Sequence, residues 1–174
     1  MTTVLFTQDY LVGDRAVLLN GMAVDDTKIR VLKGRIAYFF GSSHPTTEQR
    51  VKLDKAVYAF VFGKRKAREA AEAFINQFIA FDTLLIMTRT KSFKLHNSMM
   101  SLVDPNTNTP EPNKILMVDE LDLRAPIGFG SGGDLAICGW ACGMEPTNII
   151  QLVSYIDPMT SRKCDVVYRE DLRK

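Results

Sequence analysis

The second residue of the chain is a threonine that has the chemistry of a nucleophile if it becomes the N-terminal residue. A threonine hydroxyl reacts poorly at neutral pH unless a base takes its proton, and the α-amine of the same residue can be that base. Thr2 follows Met1, so removal of Met1 gives Thr2 a free α-amine. Because many proteins begin with Met-Thr, the plain start of a first strand explains the same residues and remains an alternative.

Further polar side chains stand at the ends of predicted elements. Asp14 ends the second predicted strand, and Lys28 begins the third. Ser131 lies in the glycine-rich stretch 130–133 before a helix, and Asp157 follows the last predicted helix. An acid, a lysine and a hydroxyl can together activate a nucleophile. A structural ion pair between Asp14 and Lys28, and a simple tight turn at 130–133, are the alternatives.

The composition is that of one globular domain. The chain has 174 residues, of which 46% are hydrophobic and 24% charged. Its formal charge of +2 is too small to indicate nucleic acid or a membrane surface as a partner. The sequence also lacks a basic start followed by an apolar stretch, and no apolar run is long enough to cross a bilayer. We therefore expect a cytoplasmic protein.

Neither the cysteines nor the glycine-rich stretch predicts a cofactor. Cys138 and Cys142 lie four residues apart on a predicted helix, but His44 and His96 have no matching metal-ligand spacing. Cysteines of this kind are usually buried small apolar side chains, and this is our interpretation. Residues 130–133 lack the lysine of a phosphate-binding loop. We expect no metal and no cofactor.

The periodicity of apolar residues changes along the chain in a regular way. Leu53, Val57 and Phe60 fall on one helical face, and Ala71, Phe74 and Ile75 fall on another. Lys33-Gly34 is typical of a hairpin turn, and Asp104 to Asn113 has the composition of a long surface loop. The predicted strands are 2–6, 10–12, 29–32, 35–40, 83–87, 93–95, 115–118, 127–130 and 164–168, and the predicted helices lie near 53–61, 67–78, 134–142 and 146–157.

This order of strands and paired helices predicts an α+β fold in a single domain, residues 1–174. Each helix has one apolar stripe that must be buried, and a sheet is the available surface. Two packed sheets with a helix pair on each outer side bury every stripe. The predicted architecture is therefore a four-layer αββα sandwich.

On these elements the chain resembles the proteasome β-subunit and HslV-type peptidases, a family of N-terminal nucleophile hydrolases. The similarity runs from Thr2 to about Tyr168. The motifs that carry it are Thr2-Thr3-Val4, Gly13-Asp14-Arg15-Ala16, Lys28-Ile29 with the hairpin after it, and Ile127-Gly128-Phe129-Gly130-Ser131-Gly132-Gly133. The resemblance implies the same sandwich fold and a threonine-type endopeptidase.

The resemblance also implies the roles of individual residues. Thr2 is implied as the nucleophile and its freed α-amine as the general base. Lys28 is implied beside the Thr2 hydroxyl, where a cation lowers the pKa of the amine and stabilises the attacking oxygen. Asp14 is implied to hold Lys28 in place and keep it charged.

A second group of residues is implied to position the amine and the oxyanion. Ser131, Asp157 and Thr160 are expected to hold the amine through hydrogen bonds. A backbone N–H must stabilise the oxyanion, and Gly41 or Ser42 is the matching place.

The family further implies an assembly. We expect a homo-oligomeric ring or stacked rings with an enclosed chamber, polypeptide substrates, and an ATP-dependent unfoldase as a possible partner. Two other functions stay open. One is a catalytically inactive structural ring subunit, which a Met1-retaining chain fits. The other is an N-terminal nucleophile amidase that acts on a small molecule.

Overall fold

Strands dominate the first part of the chain, and the helices come in two pairs. The computed structural model describes residues 3–19, 22–40, 45–78, 83–103 and 110–174. The strands are β1 (Val4–Phe6), β2 (Tyr10–Asp14), β3 (Ala16–Leu19), β4 (Met22–Asp25), β5 (Ile29–Leu32), β6 (Ile36–Phe40), β7 (Thr83–Thr88), β8 (Ser92–Val103), β9 (Pro110–Glu120), β10 (Ile127–Phe129) and β11 (Cys164–Tyr168). The helices are α1 (Thr47–Phe62), α2 (Arg65–Phe78), α3 (Gly133–Ala141) and α4 (Pro146–Ile156), and a 3₁₀ turn at Arg169–Asp171 follows β11. The predicted order of elements is confirmed.

The strands pair in two larger sheets and one separate hairpin. The first sheet has the order β10-β1-β2-β11, with antiparallel pairs that place Leu5 opposite Val12 and Gly128. The second has the order β5-β6-β7-β8-β9, and β3 pairs with β4 alone. Lys33 and Gly34, between β5 and β6, both have positive φ (51° and 65°), as a type I′ hairpin turn requires. The predicted hairpin is confirmed.

The alternation of side chains along β1 explains how the first sheet is covered on both faces. Val4 and Phe6 are fully buried in one apolar cluster. That cluster includes Ile29, Ala37, Phe39, Leu85 and Met87 from β5, β6 and β7. Leu5, between them, belongs to a second cluster with residues of α3 and α4: Ala136, Ile149, Ile150 and Val153. The sheet that carries the N-terminal strand is therefore held rigidly, since both faces are packed.

The chain divides into two compact units, and each unit is built from segments that alternate along the sequence. One unit consists of Met1–His44, Leu85–Phe93 and Glu120–Lys174, and the other of Pro45–Leu84 and Lys94–Asp119. The first unit contains β1 to β6, β10, β11, α3 and α4. The second contains α1 and α2. The single domain inferred from the sequence stays a prediction.

Helix α1 forms because its start is capped and one face is apolar. The Thr46 hydroxyl accepts a hydrogen bond from the backbone N–H of Gln49, whose side chain accepts one from the N–H of Thr46. Leu53, Val57 and Phe60 are buried on one face, which confirms the predicted stripe. Among the helices that the structure describes, none is both long enough and apolar enough to span a membrane.

Two expectations from the sequence are wrong. Pro110 to Asn113 belong to β9 rather than to a surface loop, because the strand partner β8 continues to Val103 and Pro is tolerated as the first residue of a strand. Residues 104–109 of the predicted loop lie outside the described residues. Cys138 and Cys142 are exposed rather than buried, because α3 buries the other face, which carries Ala136 and Gly139.

Candidate active site

A buried carboxylate stands at the end of β2. Asp14 is inaccessible to solvent, and its two carboxylate oxygens accept four hydrogen bonds. Oδ1 accepts from the backbone N–H of Thr3 at 2.7 Å and from Lys28 Nζ at 3.0 Å. Oδ2 accepts from the N–H of Ala16 at 2.9 Å and of Ser161 at 3.2 Å. Asp14 therefore joins the start of β1, the start of β5 and the segment after α4.

Lys28, just before β5, is the ion-pair partner of this carboxylate. Its side chain is only 5% exposed, and the structure brings it to Asp14 as the sequence predicted. Burial lowers the pKa of the Lys28 ammonium below its usual value of 10.5, and the charge and hydrogen bond of Asp14 offset only part of that effect. The site thus holds an ammonium that gives up its proton more readily than an exposed lysine does.

A second polar network forms around Asp157, at the C-terminal end of α4. Oδ2 of Asp157 accepts hydrogen bonds from Ser131 Oγ at 2.5 Å and from Thr160 Oγ1 at 2.8 Å. Oδ1 accepts from the N–H of Met159 at 3.0 Å. The structure therefore brings Ser131 together with Asp157 and Thr160, which follow it by 26 or more residues in the sequence.

The charge of this network is fixed by its hydrogen bonds. Burial acts to raise the pKa of Asp157, but the donors Ser131 Oγ, Met159 N and Thr160 Oγ1 together hold it below its usual value. Ser131 is exposed, whereas Thr160 is only 6% exposed. The network therefore extends from the protein interior to the surface and keeps an ionised carboxylate near neutral pH.

The glycine-rich stretch before α3 positions Ser131. Gly130 has φ = 82°, in the left-handed region that favours glycine. Gly132 has an ordinary φ of −95° and is the N-cap of α3. A Cβ built on Gly132 would overlap Thr3 Oγ1 and Val153 Cγ1, so this glycine is needed for space rather than for its backbone conformation.

Thr3 is the residue that the sequence argument did not select as functional, although it contacts both networks. Its backbone N–H donates to Asp14 Oδ1, and its Oγ1 lies 2.6 Å from Thr160 Oγ1. It is inaccessible to solvent, like the apolar residues Val4 and Leu5 that follow it. A polar residue at the head of a fully apolar strand was the one available signal.

Three of the site residues predicted from the sequence lie outside the described residues: Thr2, Gly41 and Ser42. The proposed nucleophile and the proposed oxyanion donor thus remain predictions. In the ranges that the structure describes, no group of three or more histidine, cysteine, aspartate or glutamate side chains is placed to hold a metal ion.

Comparison with known proteins shows the fold. No protein-family model and no curated protein sequence matches the chain. A crystal structure of eukaryotic HslV from Trypanosoma brucei matches it with a TM-score of 0.60, over 96% of this chain and 98% of that one. The two sequences are 15% identical, so the likeness shows the fold alone. The chain has an α+β, HslV-like sandwich fold, which confirms the predicted fold class.

Proposed function

We propose that the chain is the threonine-type endopeptidase subunit of a self-compartmentalising protease, with Thr2 as its nucleophile once Met1 is removed. The observation that carries this proposal is the meeting of two polar networks at Thr3. The Thr3 nitrogen that Asp14 accepts from is the atom to which the Thr2 carbonyl carbon is covalently bonded. An acid, an ammonium and a hydroxyl network are thus gathered beside the N-terminal residue, as an N-terminal nucleophile requires.

Lys28 supplies positive charge where negative charge develops. An ammonium beside the Thr2 hydroxyl favours the attacking oxygen anion, and Asp14 fixes the position of that ammonium at 3.0 Å. The low exposure of both side chains strengthens the interaction, because little water screens it. The backbone N–H of Gly41 is proposed to stabilise the oxyanion of the substrate.

The Asp157 network positions the α-amine of Thr2. Ser131 Oγ gives its proton to Asp157, so its lone pairs remain available to accept from an amine or ammonium. The ionised carboxylate behind it favours a proton on that amine during the reaction. Thr160, hydrogen-bonded to the same carboxylate oxygen, holds the carboxylate in place.

The reaction then proceeds in two stages. Thr2 Oγ1 bonds to the carbonyl carbon of the substrate while its proton passes to the α-amine, and the peptide C–N bond breaks as that proton moves to the leaving nitrogen. Water next attacks the ester carbon and gives a proton to the α-amine. The ester C–O bond then breaks, the amine passes that proton to Thr2 Oγ1, and the product leaves as a carboxylic acid. The Thr2 hydroxyl is restored at the end.

The assembly and its location are part of the proposal. A nonspecific peptidase must be kept from folded proteins, and a homo-oligomeric ring or pair of rings confines the active sites to a chamber. An ATP-dependent unfoldase delivers polypeptide substrates to such a chamber. The cytoplasm is the proposed compartment.

The nucleophile is tested by substitution of Thr2. Thr2→Ala removes the hydroxyl, so we expect hydrolysis of a fluorogenic peptide to fall by at least about 1,000-fold while the protein still folds. Thr2→Ser keeps the hydroxyl and the amine and retains part of the activity. Equal turnover by wild type and Thr2→Ala would show that Thr2 is not the nucleophile.

The same experiment needs a defined N-terminus. A cleavable tag fused directly before Thr2 releases the threonine amine in vitro, and its product is compared with protein that retains Met1. The Met1-retaining form is expected to be inert, because a peptide-bonded nitrogen has no basic lone pair. Equal rates for both forms would exclude the amine as base.

The same assays distinguish the two alternative functions. Activity on small amides but not on peptides would favour the amidase. No activity in either form would favour a structural subunit.

A further inference from the structure

Thr3 has every polar group satisfied although no part of it reaches solvent. Its N–H donates to Asp14 Oδ1, and its carbonyl oxygen accepts from the N–H of Asp14 at 2.9 Å. Its hydroxyl pairs with that of Thr160 at 2.6 Å. A buried hydroxyl is costly unless it is hydrogen-bonded, and a valine of the same shape needs no such partner. The hydroxyl of Thr3 is therefore specified by its partner rather than by packing.

The direction of this hydrogen bond follows from the chemistry of the network. Thr160 Oγ1 has one proton, and Asp157 Oδ2, 2.8 Å away, is a carboxylate acceptor for it. An ionised carboxylate can only accept, so Thr160 must accept from Thr3. The protons thus run from Thr3 to Thr160 to Asp157.

The surrounding backbone leaves space for the Thr3 hydroxyl. Gly132, at the N-terminus of α3, is the position where any Cβ would overlap Thr3 Oγ1. The neighbouring residue Ser131 is the other hydroxyl donor to Asp157. The hydroxyl of Thr3 and the turn that positions Ser131 therefore fit each other closely.

We infer that Thr3 is a positioning residue that connects the Asp14–Lys28 pair to the Ser131–Asp157–Thr160 network. The inference rests on the proposed function and adds a residue to it. One carboxylate holds the amide nitrogen of Thr3, and the other holds its hydroxyl through Thr160. The two groups of the site are thereby kept in register with each other, and small displacements of reacting groups are costly to catalysis.

The test removes the hydroxyl without changing the shape of the side chain. Thr3→Val is expected to lower kcat about 10- to 100-fold with KM little changed, and Thr3→Ser to restore most of the loss. The matched control is Thr7→Val, because Thr7 is 2% exposed and its hydroxyl also makes hydrogen bonds, at the far end of β1. Thr7→Val should reduce the melting temperature without lowering kcat.

A double-mutant cycle isolates the proposed connection. Because Thr3 acts through Thr160, Thr3→Val should lower kcat no further in a Thr160→Val background. An undiminished loss in that background would overturn the inference, and so would wild-type kcat in Thr3→Val. If Thr3→Val does not fold, Gly132→Ala displaces the same hydroxyl, and normal kcat there would overturn the inference equally.

Failure of the proposed function gives a different result. If wild-type protein with a free Thr2 amine hydrolyses no peptide, the endopeptidase proposal fails before any Thr3 variant is compared. If wild-type protein is active and both Thr3→Val and Gly132→Ala match it, only the positioning role of Thr3 fails.

Discussion

At the scale of single residues, the pair of Asp14 and Lys28 is the most informative feature. The two side chains are 0% and 5% exposed and 3.0 Å apart. Removing both charges from water costs free energy that their attraction often fails to offset, so a buried pair is weak evidence for stability. The lowered pKa of Lys28 agrees, because burial outweighs the effect of Asp14. We propose a catalytic use of the ammonium as the explanation of its position.

The pair of Asp14 and Lys28 leads to a prediction about how the free energy of unfolding depends on pH. Since the pKa of Lys28 is below 10.5 in the folded protein, the unfolded chain binds more protons in the interval just below pH 10.5. The contribution of Lys28 to stability must therefore rise with pH in that interval. We expect the free energy of unfolding of wild type, relative to Lys28→Met, to increase between pH 8 and pH 10 in denaturant titrations.

The control for this measurement is Lys91→Met, which removes an exposed lysine paired with Glu120. Water screens this exposed pair, so the difference between wild type and Lys91→Met is the baseline against which the Lys28 difference is compared over the same pH range. A Lys28 difference that falls as pH rises would mean that the charge and hydrogen bond of Asp14 outweigh burial, so that the net pKa of Lys28 is raised rather than lowered.

At the scale of elements, Arg169 connects the end of β11 to two turns. Its guanidinium donates to the carbonyl oxygens of Gln8 and Thr88 at 2.5 and 2.7 Å, and to Ser92 Oγ at 2.6 Å. These residues lie in or next to the β1–β2 and β7–β8 turns. The planar fork of donors lets a single side chain satisfy groups from separate segments. Arg169 thus stabilises the hairpin that carries β1 and the site.

Substitution of Arg169 tests this connection. Arg169→Met leaves two part-buried acceptors, Thr88 O and Ser92 Oγ, without this donor, and we expect a loss of about 2–3 kcal/mol in the free energy of unfolding. Arg169→Lys should recover less than half, since an ammonium cannot reach the same acceptors. The control, Arg65→Met, removes an exposed pair with Glu69 and should cost less than about 0.5 kcal/mol. Similar losses in Arg169→Met and Arg65→Met would refute this role.

At the scale of the whole molecule, the exposed apolar side chains bear on assembly. Phe60, on the apolar face of α1, is only 1% exposed and is not available for contacts between subunits. Large apolar side chains that do reach solvent include Tyr155 and Ile156 at the end of α4, which are 71% and 59% exposed. Exposed apolar surface of this kind favours association.

We predict a homo-oligomer of at least six subunits. Sedimentation velocity and light scattering at micromolar concentration should both give this size. In a separate assay, the peptidase rate per subunit should fall when dilution dissociates the assembly. A stable monomer at that concentration would contradict the ring, and a fully active monomer would also contradict confinement of the active site.

Much of the fold was determined by local sequence patterns. The apolar stripe of α1 and the Lys33-Gly34 turn depend on neighbouring residues alone, and the structure has both where the sequence placed them. The hairpin of β3 and β4 was missed, although the apolar runs 16–19 and 22–24 flank Asn20-Gly21, a dipeptide typical of a type I′ hairpin turn. The burial of Cys138 and Cys142 was predicted wrongly, because the residue type does not tell which face of α3 is covered.

Identification of the candidate site required both the sequence and the tertiary structure. Asp14, Lys28, Ser131, Asp157 and Thr160 were selected from the sequence, and the structure places them in two hydrogen-bonded groups. Only the tertiary structure could add Thr3, whose partner Thr160 is 157 residues away in sequence. Only it could explain Gly132, whose side chain is excluded by Thr3 and Val153 rather than by its own backbone angle. Residue type and local periodicity are properties of short segments, whereas proximity between distant segments arises only when the sheets and helices pack.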